Sequence, residues 1–260
     1  MHRFYLPPAQ TQQSVLMLTD GEAHHALHVL RMRQGDRVAV LNGVGFEFLC
    51  EITETGPRSV TLSVVNKLFI PPLPYKLTLV QAIPKGKTMD LIVQKAAELG
   101  ADRIAPILSE RTVAHLDDDR TSGKVEKWHA NAIEAIKQCG SPWLPTIEHP
   151  LSPAAYLARD EKPELSFIAT LQDNAQHPRA HFRAFLAEHH RLPRSVSVWV
   201  GPEGDFTPAE VNAVMGSGAL PITLGQLILR SETAAIYCLS VLNYELQAPL
   251  AADCAGLAAQ

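Results

Sequence analysis

Ser195-Val-Ser-Val-Trp-Val-Gly-Pro-Glu-Gly-Asp-Phe-Thr-Pro-Ala-Glu210 decides how this chain is read. Ser195–Val200 is a short apolar run of strand length, of the kind that is buried in a parallel sheet. It enters Gly201, Pro202 and Gly204. Thr207-Pro208-Ala209-Glu210 then forms a capping box with proline at the first helical position, so a helix starts there. A strand that passes through a glycine turn into a capped helix is part of a βαβ unit. The carboxyl end of a parallel strand is where α/β folds place ligands, and glycines let the backbone approach a ligand closely. Taken alone, Gly201–Gly204 is better explained by a plain tight turn into the helix.

The same grammar extends outward on both sides. Strands are predicted over Lys76–Ile83, Arg103–Leu108, Thr146–Glu148, Leu165–Leu171 and Pro221–Leu224. Helices are predicted over Met89–Leu99, with Thr88 as N-cap and Gly100 past its end, and over Gly123–Gln138, Pro153–Arg159, Pro178–His190 and Ser231–Gln247. Six strands alternating with helices argue for a parallel α/β sheet. Ile70-Pro-Pro-Leu-Pro74 continues neither strand nor helix and reads as a linker. Ahead of it the pattern is β-rich: Arg37–Leu41, Phe46–Thr53 and Ser59–Val65, preceded by a helical stretch over Gly21–Met32. The expected domains are 1–72 and 73–248, with a frayed tail over 249–260.

Composition narrows the class. Of 260 residues, 46% are hydrophobic and 19% charged, enough to build a sizeable core. A formal charge of -4 excludes a histone-like polycation, so any nucleic-acid contact must be a local patch. Residues 1–75 balance six Lys and Arg against six Asp and Glu. Four scattered cysteines suit neither a disulfide framework nor a zinc site, and eleven histidines form no metal-binding spacing, so no metal is expected. The N-terminus lacks a secretory pattern, and no apolar stretch approaches membrane-spanning length, so the expectation is a cytoplasmic protein with no membrane partner. P-loop, dinucleotide and nucleophile-elbow motifs are missing.

A second segment, Ile222-Thr-Leu-Gly-Gln-Leu-Ile-Leu-Arg-Ser-Glu-Thr-Ala-Ala235, breaks a stability rule. Its loop is apolar (Leu227, Ile228, Leu229) where a connector would be polar. Arg230 then stands at the start of a helix, where the dipole disfavours a cation by about 0.3–1 kcal/mol. Such misplacement points to a site. The helix that follows carries Ile236, Leu239, Leu242 and Leu246 at helix spacing, which suits either a two-fold interface or burial on its own sheet.

These two segments, with Lys85-Gly-x-x-Met-Asp-Leu-Ile-Val-Gln-Lys-Ala-x-Glu-Leu-Gly100, Ser109-Glu-Arg111, Gln138-Cys-Gly140, Glu22-Ala-His-His25 and Val29-Leu-Arg-x-Arg-x-Gly-Asp36, resemble the ribosomal RNA uridine-N3 methyltransferases of the SPOUT superfamily. The similarity runs in order along nearly the whole chain. It departs from the family pattern at Asp205, where a second glycine is usual, at Leu227 and at Ser141, where basic residues are usual.

The resemblance implies an α/β fold: a PUA-like β-barrel followed by a SPOUT domain with a C-terminal deep trefoil knot. It implies S-adenosylmethionine as cofactor, a homodimer, and 16S ribosomal RNA as substrate, in the assembled small subunit. It assigns cofactor binding to Thr170, Leu171, Gly201, Pro202, Glu203, Gly204, Leu224, Gly225, Ile228, Leu229 and Thr233. Arg230 would stabilise negative charge on the uracil. A base is needed for the N3 proton, for which Glu203 and Glu232 are candidates; as an N-terminal helix acid, Glu203 also has a structural explanation. RNA contacts would fall to Arg3, His25, Arg31, Arg33, Lys85, Lys87 and Arg111. Two other functions stay open: methylation of another RNA atom such as a ribose 2′-hydroxyl, and a non-catalytic RNA-binding assembly factor.

Overall fold

The computed structural model describes residues 1–112, 118–170, 172 and 175–247, with the side chains of 118–121 left outside the description. The chain forms two compact units.

The first comprises Met1–Pro72 together with Ala132–Pro145. Its strands β1 (His2–Tyr5), β2 (Val15–Thr19), β3 (Arg37–Leu41), β4 (Phe46–Thr55) and β5 (Ser59–Phe69) pair in the order β1-β3-β4-β5-β2. Only β1 and β3 run parallel. Register shifts at Leu49/Cys50 and Ile52/Glu54 bend the long β4–β5 ladder. The sheet curls over Phe4, Leu16, Leu18, Val38, Val40, Phe48, Ile52, Val60 and Leu62, all buried.

Two strands escape the sequence pattern. In β2 the inward Leu16 and Leu18 alternate with exposed Val15 and Met17, which are apolar as well, so hydrophobicity shows no period of two. β1 is short and includes His2 and Arg3. The helix expected over Gly21–Met32 is also corrected. α1 covers Asp20–His24 and widens into a π-helical turn over His25–Val29, closed by Leu30 N–H on His25 C=O at 2.9 Å. It buries Ala23 and Ala26, and the chain leaves through Arg31 at φ 53°.

Residues 132–145 complete this unit. The Trp143 ring lies where a Cβ on Gly45 would come within 2.5 Å, and its indole N–H donates to Ile70 C=O at 2.9 Å. The Lys137 ammonium is nearly buried between Glu22 and Glu134, each at 2.8 Å. Burial pulls its pKa down, but the two carboxylates outweigh this and hold it above the ordinary lysine value. Glu134 is largely exposed, so Glu22, the less exposed carboxylate, is the partner whose loss matters more to the buried ammonium.

The second unit, Leu73–Asn131 with residues from Thr146 onward, contains an all-parallel sheet. Its strands are β6 (Lys76–Ala82), β7 (Arg103–Ile107), β8 (Thr146–Ile147), β9 (Leu165–Ala169), β10 (Ser195–Val200) and β11 (Leu220–Ile222). They pair in the order β11-β9-β10-β6-β7-β8. All six coincide with predicted strands. The helices are α2 (Thr88–Glu98), α3 (Asp118–Cys139), whose residues from Ala132 belong to the first unit, α4 (Pro153–Leu157), α5 (Pro178–His189), α6 (Pro208–Gly216) and α7 (Ser231–Gln247).

Thr88 is the first helical residue of α2; Lys87 holds the N-cap position without a side-chain cap. Gly100 leaves α2 at φ 77°, as its position suggested. In α7, Ala235, Cys238, Leu239, Leu242 and Leu246 are buried within the unit, so those leucines serve its own core and not an interface. Burial pushes the Cys238 thiol up to about 12. Among the described residues no helix is long and apolar enough to cross a membrane.

Candidate active site

The carboxyl ends of the adjacent strands β11, β9 and β10 surround a cavity of about 340 Å3. Three segments wall it. The exit of β9 contributes Thr170. The turn after β10 contributes Gly201, Pro202, Glu203 and Asp205. The loop between β11 and α7 contributes Leu224, Gly225 and Leu227 through Arg230. The two segments singled out in the sequence therefore face one space. Gly204 and Thr233 do not line it: the Gly204 carbonyl accepts from Arg111 Nη1 at 2.6 Å, and Thr233 lies on the exposed face of α7 beside Ile236 and Tyr237. Leu171 falls outside the described residues.

The turn wall is held by hydrogen bonds from several sides. Thr207 and Glu210 form the predicted capping box: Glu210 N–H donates to Thr207 Oγ1 at 3.3 Å, and Thr207 N–H to Glu210 Oε2 at 2.8 Å. Glu210 Oε1 also accepts from Glu110 N–H at 2.8 Å. Glu203 accepts from Lys85 N–H at 2.9 Å. Asp205 sits at φ 59°, a left-handed conformation that aspartate tolerates better than most residues. A Cβ on Gly201 would come within 2.8 Å of Asp205 Oδ1 and 3.3 Å of Asp205 Cα. The turn itself therefore favours a glycine there, since a larger residue would displace the Asp205 carboxylate and crowd its backbone.

Sequence reasoning missed what joins the two walls. Gln81, at the end of central strand β6, is fully buried and donates to Ala82 C=O at 2.8 Å and to Ser231 Oγ at 3.0 Å. Ser231 in turn donates to Gly201 C=O at 2.7 Å. Ser231 does not cap α7 but locks its first turn onto the glycine turn. A glutamine in the apolar run Leu79–Ile83 was the available signal, since a buried amide N–H seeks acceptors.

Arg230 occupies the N-cap position, its carbonyl accepting from Ala234 N–H at 2.8 Å. Its exposed guanidinium has no hydrogen bond or ion pair among the described residues and stands at the positive end of α7, whose first turn also carries the acid Glu232. Leu227 and Ile228 are 77% and 82% exposed.

The residues expected to meet RNA divide by task. Arg3 donates to the C-terminal carbonyls of α3, at 3.3 Å to Gln138, with its guanidinium packed over Gly140. That is helix capping. His25 stands edge-on to Phe4 at 6.2 Å. Arg31 and Arg33 are exposed with side chains that are unpaired among the described residues. Lys85 and Lys87 are exposed on the β6–α2 loop, and Arg111 braces the glycine turn. Among the described residues no cluster of three His, Cys, Asp or Glu side chains forms a metal ligand set.

This architecture has known counterparts. Residues 71–243 match the RNA methyltransferase domain family, and residues 18–65 the RNA methyltransferase PUA domain. Ribosomal RNA small subunit methyltransferase E of Bacillus subtilis is 30% identical over 95% of this chain and 98% of its own length. A methyltransferase E from Neisseria gonorrhoeae, solved bound to S-adenosylmethionine, superposes with a TM-score of 0.80 at 26% identity, covering 94% of this chain and 97% of its own. A Legionella pneumophila protein solved with bound SAM reaches 0.83 at 32% identity, covering 93% of this chain and 96% of its own. With both units matched and the glycine turn and apolar loop meeting at one cavity, the chain belongs to the ribosomal RNA small subunit methyltransferase E family.

Proposed function

We propose that this chain transfers the methyl group of S-adenosylmethionine to N3 of a uridine in 16S ribosomal RNA, in the cytoplasm and on the assembled small subunit. The observation that carries the proposal is the meeting of the Gly201–Asp205 turn and the Leu224–Arg230 loop around one cavity. Its size falls in the range of small-molecule sites, and its lining joins leucines and an isoleucine to main-chain groups and a few charges, as cofactor sites do. Leu224, Ile228 and Leu229 would cover the adenine ring, while Thr170, Gly201, Pro202 and Gly225 offer polar main-chain edges. When bound, the cofactor supplies a methyl group made electrophilic by its sulfonium.

The chain's own task is then to prepare N3. Uracil N3 carries a proton that must leave as the N–C bond forms. Arg230 holds the uracil carbonyls and stabilises the negative charge that develops there, its planar fork suited to two oxygens. Glu203, anchored by Lys85 N–H on the opposite wall, accepts the proton.

In the same proposal the curled sheet is a PUA-like barrel that meets RNA phosphates through Arg31 and Arg33, whose exposure and lack of partners favour that task. The parallel-sheet unit is a SPOUT domain, supported by the match of residues 71–243 to the RNA methyltransferase domain family, and its final segment would make a trefoil knot. Homodimerisation is supported by the outer face of α7, where Tyr237 and Tyr244 are exposed beside half-buried Ile236 and Val241. The deciding experiment is mass spectrometry of nucleosides from ribosomal RNA of a deletion strain, with primer extension to map the position. Loss of one 3-methyluridine from small-subunit RNA is expected. An unchanged nucleoside profile sinks the proposal, and loss of a 2′-O-methyl nucleoside replaces it with the ribose reaction.

A further inference from the structure

We infer that Asp205 is a charge-selecting residue, whose carboxylate favours the cationic methyl donor over the demethylated product. The inference rests on the reading of the cavity as the S-adenosylmethionine site.

Three observations carry it. Asp205 lines the cavity and is half-buried. Its backbone is left-handed, at φ 59°, and its short side chain closes a local hydrogen bond there, which fixes the carboxylate in the turn. Its recorded side-chain hydrogen bond is local, from Phe206 N–H to Oδ1 at 2.7 Å, and no ion pair neutralises it among the described residues. The ionisable lining of the cavity is then Glu203, Asp205 and Arg230. Glu203 and Asp205 each accept one main-chain N–H, from Lys85 and Phe206, and Arg230 belongs to the opposite loop, so among the described residues the Asp205 carboxylate stands on the cavity wall with no cation paired to it.

The chemistry of methyl transfer gives that charge something to select. The donor carries a sulfonium, an ammonium and a carboxylate, for a net charge of +1. The product is a thioether with the same ammonium and carboxylate, so its net charge is zero. A fixed carboxylate on the wall of a partly desolvated cavity strengthens binding of the first and is nearly indifferent to the second. At separations of several ångströms and surface-like screening, one unit charge is worth about 3- to 10-fold in affinity. The consequence is weaker inhibition by the enzyme's own product.

Titration calorimetry on the full chain tests this, with S-adenosylmethionine and S-adenosylhomocysteine as separate ligands. Asp205→Asn keeps the Oδ1 acceptor for Phe206 N–H and tolerates the left-handed backbone, so it removes charge alone. Asp205→Gly removes charge and relaxes the backbone. Both variants are expected to lose about 3- to 10-fold in affinity for the donor, with the product's affinity within twofold of wild type, and the loss should shrink with added salt. Equal weakening of both ligands in Asp205→Asn, or no weakening of either, overturns the inference while leaving the cofactor site in place. Wild-type protein that binds neither ligand overturns the cofactor reading itself.

Discussion

The two walls of the cavity are built on opposite principles. The turn after β10 is held by hydrogen bonds from Lys85, Glu110, Arg111 and Ser231, so its backbone is fixed before any ligand arrives. The loop before α7 presents Leu227 and Ile228 to solvent, and among the described residues its side-chain hydrogen bonds join Thr223 and Gly225. One wall is pre-organised, which lowers the ordering cost of binding. The other gains its apolar contacts only when something covers it. A stable scaffold would not leave those side chains exposed, so their task lies in the bound state.

That contrast can be broken at four points. The largest effect is expected at the end of the apolar loop. Arg230→Ala should lower single-turnover methyl transfer on small subunits by about 10²–10³, the scale of losing one pre-organised donor, while cofactor affinity holds and thermal stability holds or rises slightly. A near-normal rate removes Arg230 from the mechanism. A folded variant that loses cofactor binding makes it a cofactor ligand instead.

Next comes the junction of the walls. Ser231→Ala leaves the Gln81 amide and the Gly201 carbonyl without their shared partner, and denaturant unfolding should show a loss of about 1–3 kcal/mol. Unchanged stability would mean that the bond from Ser231 to Gly201 C=O does not hold the walls together.

On the bonded wall, Glu210→Ala removes half of the capping box and the acceptor for Glu110 N–H, with an expected loss of about 1–2 kcal/mol in the same measurement. The smallest effect on the folded protein is expected on the apolar wall. Ile228→Ala should leave stability within about 0.5 kcal/mol of wild type, since the side chain is exposed. Calorimetry should nonetheless show cofactor binding weakened by about 5- to 10-fold, from apolar area covered only in the complex. If Ile228→Ala destabilises the free protein by as much as Glu210→Ala, the two walls are not different in kind.

Much of this site was legible because its signals are local. Apolar runs with glycine or proline at their borders mark β9, β10 and β11, and the Thr207–Glu210 box marks the start of α6. The glycine turn and the loop that breaks a stability rule are the two segments that meet at the cavity. What was not legible depends on contacts between residues far apart in sequence. Gln81 and Ser231 are 150 positions apart, and neither spacing nor propensity joins them. Arg3 reads as a free cation until the end of α3 is placed beneath it. Periodicity grouped Leu239, Leu242 and Leu246 correctly on one face of α7, but a helical stripe does not say what covers it. Thr233 follows Arg230 by one helical turn, yet it faces the outer groove of α7 and not the cavity.

The late arrival of residues 132–145 in the first unit bears on how the chain is made. All five strands of the curled sheet have left the ribosome once Phe69 has emerged, and a small β-module would ordinarily fold at that point. Here the notch over Gly45 is still open and Glu22 still lacks its lysine until β6, α2 and β7 have also been synthesised. Domains generally fold one after another during synthesis; in this chain the first must wait for part of the second, so their folding is interleaved in time. A fragment cut at the proline linker would carry every strand of its sheet and still lack Trp143 and Lys137, which are needed to finish it.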